Sequence, residues 1–324
     1  MAQVIDTRAE PQAALSRAMD VLGRGLPVAI PTETVYGLAA DATNPAAIAR
    51  IYETKGRPRF NPLIAHVADL AMAERHARFD PLSRRLAEAF WPGPLTLVLP
   101  GRPDSPIHSL ARAGLDTIGL RVPTGFAHRL IAAFDRPLAA PSANTSGRIS
   151  PTTAAHVTAD LGDRIELILD GGPAGVGLES TILKVVDGTV HLLRPGGLNI
   201  SEIEALTGSP VIRPKGAGAT IEAPGMLASH YAPEAGVRLN ATEVRPGEAL
   251  IRFGGRALPG EAKASIVLDL SPSGDLREAA ANLFGFMQQA DATGAGSIAF
   301  SSIPATGLGE AINDRLERAA APRN

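Results

Sequence analysis

The stretch PTETVYGLAADATNPAAIARIYETKGRPRFNPLIAH (31–66) decides how this chain reads. It is entered from an apolar strand, Pro27-Val28-Ala29-Ile30, and turns over the polar run Thr32, Glu33, Thr34 and Tyr36. Asn44 as N-cap and Pro45 at the first helical position predict a helix, with Ile48, Ile51 and Tyr52 as its apolar stripe. Gly56 ends that helix, and Lys55, Arg57 and Arg59 fall on a proline-braced loop before a second apolar strand, Pro62 to Val67. Three cations there either offset the helix dipole and face water or form a phosphate cradle. The hydroxyl-rich turn one helix away favours the cradle, because open α/β sheets place ligands at strand ends.

A chain of 324 residues predicts two domains, since single cores stop growing at about 250–300 residues. A net charge of −2 and a pI near 6.4 argue against a general nucleic-acid surface, though not against a local basic cleft. Cysteine is absent, which excludes disulfides, thiolate catalysis and cysteine zinc sites and suits a reducing cytoplasm. The segment MAQVIDTRAE (1–10) has no apolar core of a signal peptide, and no apolar run reaches about eighteen residues, so a cytoplasmic protein without membrane contact is expected. Aromatics at 4% leave little for base stacking.

Outside the opening stretch, helices are expected over 11–23, 69–78, 81–90, 125–134 and 152–161, and strands over 95–99, 117–122 and 165–169. Trp91 reads as a packing residue. Thr117, Gly119 and Arg121 share one strand face by alternation, and an arginine there needs an anionic partner. Arg121 falls beside Thr117 rather than beside an acid, which favours a ligand anion. LAAPSANTSG (138–147) is a small-residue strand ending in hydroxyls and amides, suited to close approach of a ligand or simply a polar turn. Asp187-Gly188 marks a hairpin, and Glu204 takes the capping-box position of a short helix from Ser201. The segment 214–234 lacks periodicity and is too long for an idle connection. After it, strands at 249–253, 265–268 and 297–300 and helices at 276–290 and 308–320 predict a small α/β domain with a parallel sheet.

No G-x-x-x-x-G-K-[ST], G-x-G-x-x-G, H-E-x-x-H or G-x-S-x-G occurs, and the seven histidines lack metal-ligand spacing. Scattered cations (Lys55, Arg57, Arg121, Arg194) and hydroxyls (Thr34, Ser142, Ser180) remain, a set suited to a polyanion held by many single contacts. From the residues alone, this is an α/β protein with an anion-binding cleft.

PTETVYGL (31–38), KGRPRFNPL (55–63) and PSANTSG (141–147) resemble the hallmarks of the threonylcarbamoyl-adenylate synthase family. Lys55-Gly56-Arg57 matches its K-x-R element and Ser142-Ala143-Asn144 its S-x-N element; HYAP (230–233) in a long linker resembles its two-domain form. The resemblance implies a YrdC-like twisted open mixed β-sheet domain at 1–212, a linker or lid at 213–235, and a smaller Rossmann-like α/β domain at 236–324. It implies synthesis of L-threonylcarbamoyl-AMP from L-threonine, bicarbonate or CO2 and ATP, with Mg2+ accompanying ATP and no organic cofactor. The product would pass to the tRNA threonylcarbamoyl-transfer machinery, for adenosine 37 of tRNAs reading ANN codons, with tRNA contact indirect or weak. Position by position, it assigns threonine to Thr34, His66, Arg121, Ala140 and Ser180, with Arg121 on the substrate carboxylate. It assigns ATP to Lys55, Arg57, Asn61, Thr117, Ser142, Asn144, Ser150 and Arg194, with Tyr231 folding over it and Lys55 and Arg57 catalytic. His66 also reads as a core histidine at a strand end. Ala223, before Pro224-Gly225-Met226, stands where the family's linker carries serine.

Two other readings compete. Hydrogenase-maturation carbamoyltransferases share the adenylating fold but carry cysteine-rich zinc elements, which the lack of cysteine counts against. An RNA-binding module is disfavoured by net charge and few aromatics.

Overall fold

The structure is a computed structural model that describes residues 1–213, 222–225 and 230–322. The first part runs β1 (Gln3–Asp6), α1 (Pro11–Gly23), β2 (Val28–Ile30), β3 (Gly37–Asp41), α2 (Pro45–Lys55), β4 (Ile64–His66), α3 (Leu70–Glu74) and α4 (Pro81–Phe90). It continues with β5 (Leu95–Pro100), β6 (Thr117–Arg121), α5 (Gly125–Phe134), β7 (Leu138–Ala139), α6 (Ala154–Leu161), β8 (Leu167–Asp170), β9 (Thr181–Val186), β10 (Thr189–Arg194) and α7 (Ile200–Thr207). Among the described residues, these ten strands form one mixed sheet in the order β1-β8-β2-β3-β7-β4-β6-β5-β9-β10.

The local devices are those the residues dictate. Asn44 Oδ1 accepts the N–H groups of Ala46 and Ala47, Pro45 opens α2, and Gly56 closes it in the left-handed region at φ 60°. Asp187 and Gly188 both take positive φ between β9 and β10, as a tight hairpin requires. Trp91 packs edge-on against Phe79 and donates Nε1 to the Leu95 carbonyl, so it is a packing residue. Two expectations are corrected. The helix expected at 69–78 is the short α3. The cap of α7 is Asn199, which accepts Ser201 N–H, while Glu204 accepts Val211 N–H beyond the helix. Strands β1 and β3 carried too little alternation to be found in sequence.

The second part holds β11 (Gly236–Arg238), β12 (Glu248–Arg252), β13 (Val267–Asp269), α8 (Leu276–Asp291), β14 (Ser297–Phe300) and α9 (Leu308–Ala320). Its sheet, ordered β11-β14-β12-β13, is parallel throughout. One large apolar core underlies the ten-stranded sheet, and a second is built from β12, β14, α8 and α9. Tyr231 of the linker and Val35, Ile149 and Leu178 of the first part belong to that second core. The two parts are therefore joined by packing as well as by chain. No described helix is long and apolar enough to cross a membrane.

Candidate active site

Two parallel strand ends form the floor. β4 and β6 lie side by side with His66 opposite Arg121, and Ala140 N–H donates to the Ile64 carbonyl at 3.1 Å. Ahead of β3, Thr32 Oγ1 accepts the N–H groups of Thr34 and Val35 and donates to the Val35 carbonyl, a threonine-stabilised turn. The turn holds Thr34 so that its Oγ1 accepts Arg121 Nη1 at 2.9 Å. On the other side, Ser180 Oγ lies 2.7 Å from Thr96 Oγ1, and Arg194 donates Nε and Nη2 to the Ser180 carbonyl. Gly196 lets the chain after Arg194 pass here: a Cβ would stand 2.3 Å from the Glu179 carbonyl oxygen.

The cation loop divides. Lys55 and Arg57 are buried while Arg59 is exposed, so two of the three turn inward. Lys55 Nζ donates to the carbonyls of Ser142 (2.6 Å) and Asn144 (2.5 Å), gripping the S-x-N loop. Arg57 is braced by its own loop, donating Nε to the Asn61 carbonyl and Nη2 to the Pro62 carbonyl. Burial pushes the Lys55 ammonium well below the ordinary lysine range and Arg57 down to about 10.

Arg121 is not left to a ligand anion alone. Its Nη2 lies 2.7 Å from Glu33 Oε1, and Glu33 Oε2 also accepts Thr124 N–H. Strand alternation had set Arg121 beside Thr117; the acid comes instead from the turn before β3, through the sheet order. Burial works against ionisation of Glu33, yet Arg121 and the hydrogen bonds around it hold its pKa below the usual carboxylate range. Glu179, next to Ser180, is likewise opposed by burial but held down to about 2 by Arg315 and Arg194. His66 and His230 are pushed to about 3 by burial first, and the Nδ1 atom of each lacks a hydrogen-bond partner among the described residues. Both are neutral imidazoles at neutral pH.

The second part of the chain reaches into this site. Arg315 of α9, fully buried, donates Nε to Glu179 Oε2 at 2.8 Å and Nη2 to the Pro195 carbonyl at 3.0 Å. Ser150 Oγ donates to the other oxygen of Glu179. The Arg315 guanidinium lies 5.1 Å from the Tyr231 ring centre, and Phe284 of α8 stacks on that ring at 5.6 Å. Ala232 N–H donates to the Gly147 carbonyl, fastening the linker to the S-x-N loop. Ala223 is buried with Ile64, Val98 and Ile182, an apolar niche that a methyl side chain fits. Met226, the last residue of the linker motif, lies outside the described residues.

One cavity gathers most of the expected set. Thr34, His66, Arg121, Ala140 and Ser180 line it, with Arg57, Ser142, Arg194 and Tyr231. Lys55, Asn61, Asn144 and Ser150 stand buried behind this lining, and Thr117 lies at the far end of β6, outside it. Sequence reasoning missed Glu179, His230 and Arg315, and left Glu33 without a role. Arg315 had a readable sign, since it shares the apolar stripe of α9 with Ala311, Ile312 and Ala319. The cavity measures only ≈ 50 Å³, and Pro224, Gly225, His230 and Tyr231 of the linker complete its walls. Larger cavities elsewhere, up to ≈ 510 Å³, do not bring these groups together.

Comparison with known proteins agrees with this geometry. Residues 20–196 match the family described as "Telomere recombination", and residues 198–321 match "Threonylcarbamoyl-AMP synthase, C-terminal domain". The threonylcarbamoyl-AMP synthase of Bacillus subtilis strain 168 is 42% identical over 97% of this chain and 94% of its own. A double variant of Pyrococcus abyssi Sua5, with a histidine and a tyrosine changed to alanine, superposes with a TM-score of 0.89 at 37% identity, covering 99% of this chain and 96% of that one. The P. abyssi protein complexed with L-threonine gives 0.85 at 39% identity, covering 94% of each chain.

Proposed function

Given that the chain belongs to the two-domain threonylcarbamoyl-AMP synthase family, we propose that it condenses L-threonine, bicarbonate or CO2 and ATP to L-threonylcarbamoyl-AMP and pyrophosphate, the activated donor for threonylcarbamoylation of tRNA adenosine 37. The observation that carries this reading is the convergence of Thr34, His66, Arg121, Ala140 and Ser180 with Arg57, Ser142, Arg194 and Tyr231 on one enclosed cavity. The crystallised P. abyssi relative in complex with L-threonine supports the amino-acid half.

The chemistry needs no protein nucleophile. The threonine amine attacks the carbon of CO2 and loses a proton to become a carbamate; with bicarbonate the same attack also breaks a C–O bond and releases water. A carbamate oxygen then attacks the α-phosphorus, the bond to the bridging oxygen of the β-phosphate breaks, and pyrophosphate leaves. In this reading Arg121, steered by Glu33 and Thr34, receives the amino-acid carboxylate. Arg57 and Arg194 offset charge that develops on the phosphates. The carboxylates beside the cavity, Glu33 and Glu179, are already paired with arginines, and no group of three or more metal-ligating side chains exists among the described residues. In this reading Mg2+ would accompany ATP, held chiefly by triphosphate oxygens.

The cavity of ≈ 50 Å³ is far below the roughly 300–1,000 Å³ of small-molecule sites, so nucleotide binding requires Pro224, Gly225, His230 and Tyr231 to shift. The linker is thus a lid, closed over the substrates once they are bound. The deciding experiment is pyrophosphate release from Mg-ATP and bicarbonate with and without L-threonine. Release that requires threonine and is weak with serine is expected; release indifferent to threonine would refute the reading.

A further inference from the structure

α6 carries a carboxylate, Asp160, that no substrate contact above uses. Its Oδ2 accepts the Thr145 N–H at 2.6 Å, and its Oδ1 accepts the Thr145 hydroxyl at 2.5 Å. Arg164, one turn on, donates Nη2 to Asp160 Oδ1 (2.8 Å) and to Thr145 Oγ1 (2.5 Å). It donates Nη1 to the Thr54 carbonyl, in the last turn of α2 (2.9 Å). The next amide, Ser146 N–H, donates to the Lys55 carbonyl at 2.8 Å. Two consecutive residues of the S-x-N loop are thus stitched to the helix end that carries Lys55. Lys55 Nζ in turn holds the carbonyls of Ser142 and Asn144, with Asn144 Oδ1 at 3.4 Å.

We propose that Asp160 is a positioning residue for nucleotide binding: by fixing Thr145, and with it the S-x-N loop that Lys55 grips from behind, it sets how Ser142 is presented to the cavity where the triphosphate would sit. This rests on the ATP reading above. An acid beside a phosphate site repels the ligand, and Asp160 is partly exposed, with Arg164 offsetting its charge. Its place is explained by what it holds. It also faces Lys55 electrostatically. Burial and Arg57 push that ammonium toward its neutral form, Asp160 opposes them, Arg164 adds to them, and His230 faces Lys55 from the linker as a neutral imidazole. A neutral lysine would lose a donor to the loop carbonyls it now grips.

The test compares Asp160→Asn and Thr145→Val in the full chain. For Asp160→Asn, KM for ATP should rise about tenfold while kcat and KM for L-threonine stay within about twofold. The alkaline fall in kcat/KM for ATP should also move to lower pH, because the charge supporting Lys55 is gone. Thr145→Val, which keeps that charge, should raise KM for ATP without moving the alkaline fall. In both variants, amides in 142–148 should exchange hydrogen faster, a readout independent of activity. A lower melting temperature with unchanged KM and pH profile would make Asp160 merely structural and overturn the proposal. Unaltered exchange in 142–148 would overturn it equally. Absence of threonine-dependent pyrophosphate release from the unaltered chain would instead overturn the proposed function, and that control precedes both variants.

Discussion

At the scale of single residues, the Glu33–Arg121 pair sets the electrostatics of the cavity. Removing one partner leaves the other charged and buried, so Arg121→Ala should cost about 3–5 kcal/mol in urea unfolding, more than the fully neutralising double change Glu33→Gln/Arg121→Met. The same single variant should raise KM for L-threonine by at least about tenfold, because the carboxylate loses its guanidinium partner; an unchanged KM would remove Arg121 from that role. The two silent imidazoles give a pH prediction. His66 and His230 titrate near 3 when folded against an unfolded value of 6.5, so the unfolded chain binds more protons between those limits. Their stabilisation is complete above about 6.5 and is lost as pH falls, by roughly 1.4 kcal/mol per unit for each. Unfolding free energy should therefore decline from pH 6.5 to pH 5, and His66→Gln should make that slope shallower. Parallel slopes for variant and parent would contradict the burial argument.

At the scale of elements, α2 delivers Lys55 to the S-x-N loop, and its start is fixed by Asn44. Asn44→Ala frees two N–H groups of the first turn and should cost about 1 kcal/mol, read by thermal unfolding, with little change in KM for L-threonine. The last turn is held separately by Arg164 and Ser146, so fraying at the start should not reach Lys55. A loss of activity much larger than the loss of stability would mean that α2 moves as one rigid unit. α9 acts differently: it spends a position of its apolar stripe on Arg315, which a helix tolerates only when the charge is paired.

At the scale of the whole molecule, the second part of the chain braces one wall of the site from behind. Phe284 and Arg315 hold Tyr231 against the cavity, and Asp291 accepts the N–H groups of Glu234 and Ala235 just beyond it. Arg315→Ala leaves Glu179 buried without its main counter-charge and should lower both stability, by about 3–5 kcal/mol, and pyrophosphate release. Deleting residues 214–324 should reduce turnover by more than about tenfold even if the ten-stranded sheet stays folded by circular dichroism, because Pro224, Gly225, His230 and Tyr231 of the cavity wall are lost with the domain that braces them. Full turnover in that truncation would show that the linker is not needed.

Much of the site was written locally. Asn44, Pro45 and Gly56 bound a helix through their own hydrogen bonds and φ preferences, and Asp187-Gly188 closes a hairpin for the same reason. The motifs at 31–38, 55–63 and 141–147 supply Thr34, Val35, Arg57, Pro141 and Ser142 of the cavity lining. Partners could not be read this way. Glu33 meets Arg121 because the turn before β3 and the end of β6 converge across the sheet, although local alternation set the arginine beside Thr117. Glu179 meets Arg315 across 136 residues and two cores. Arg59 faces water while Lys55 and Arg57 turn inward, although all three lie on one loop. Periodicity and capping depend on neighbours in sequence, so the chain by itself determined most of its helices and the strands with clear apolar runs, but not β1, β3 or the roles of Glu179 and Arg315. Which buried charges pair depends on strand order and on how the two cores pack, and that only the tertiary structure decided.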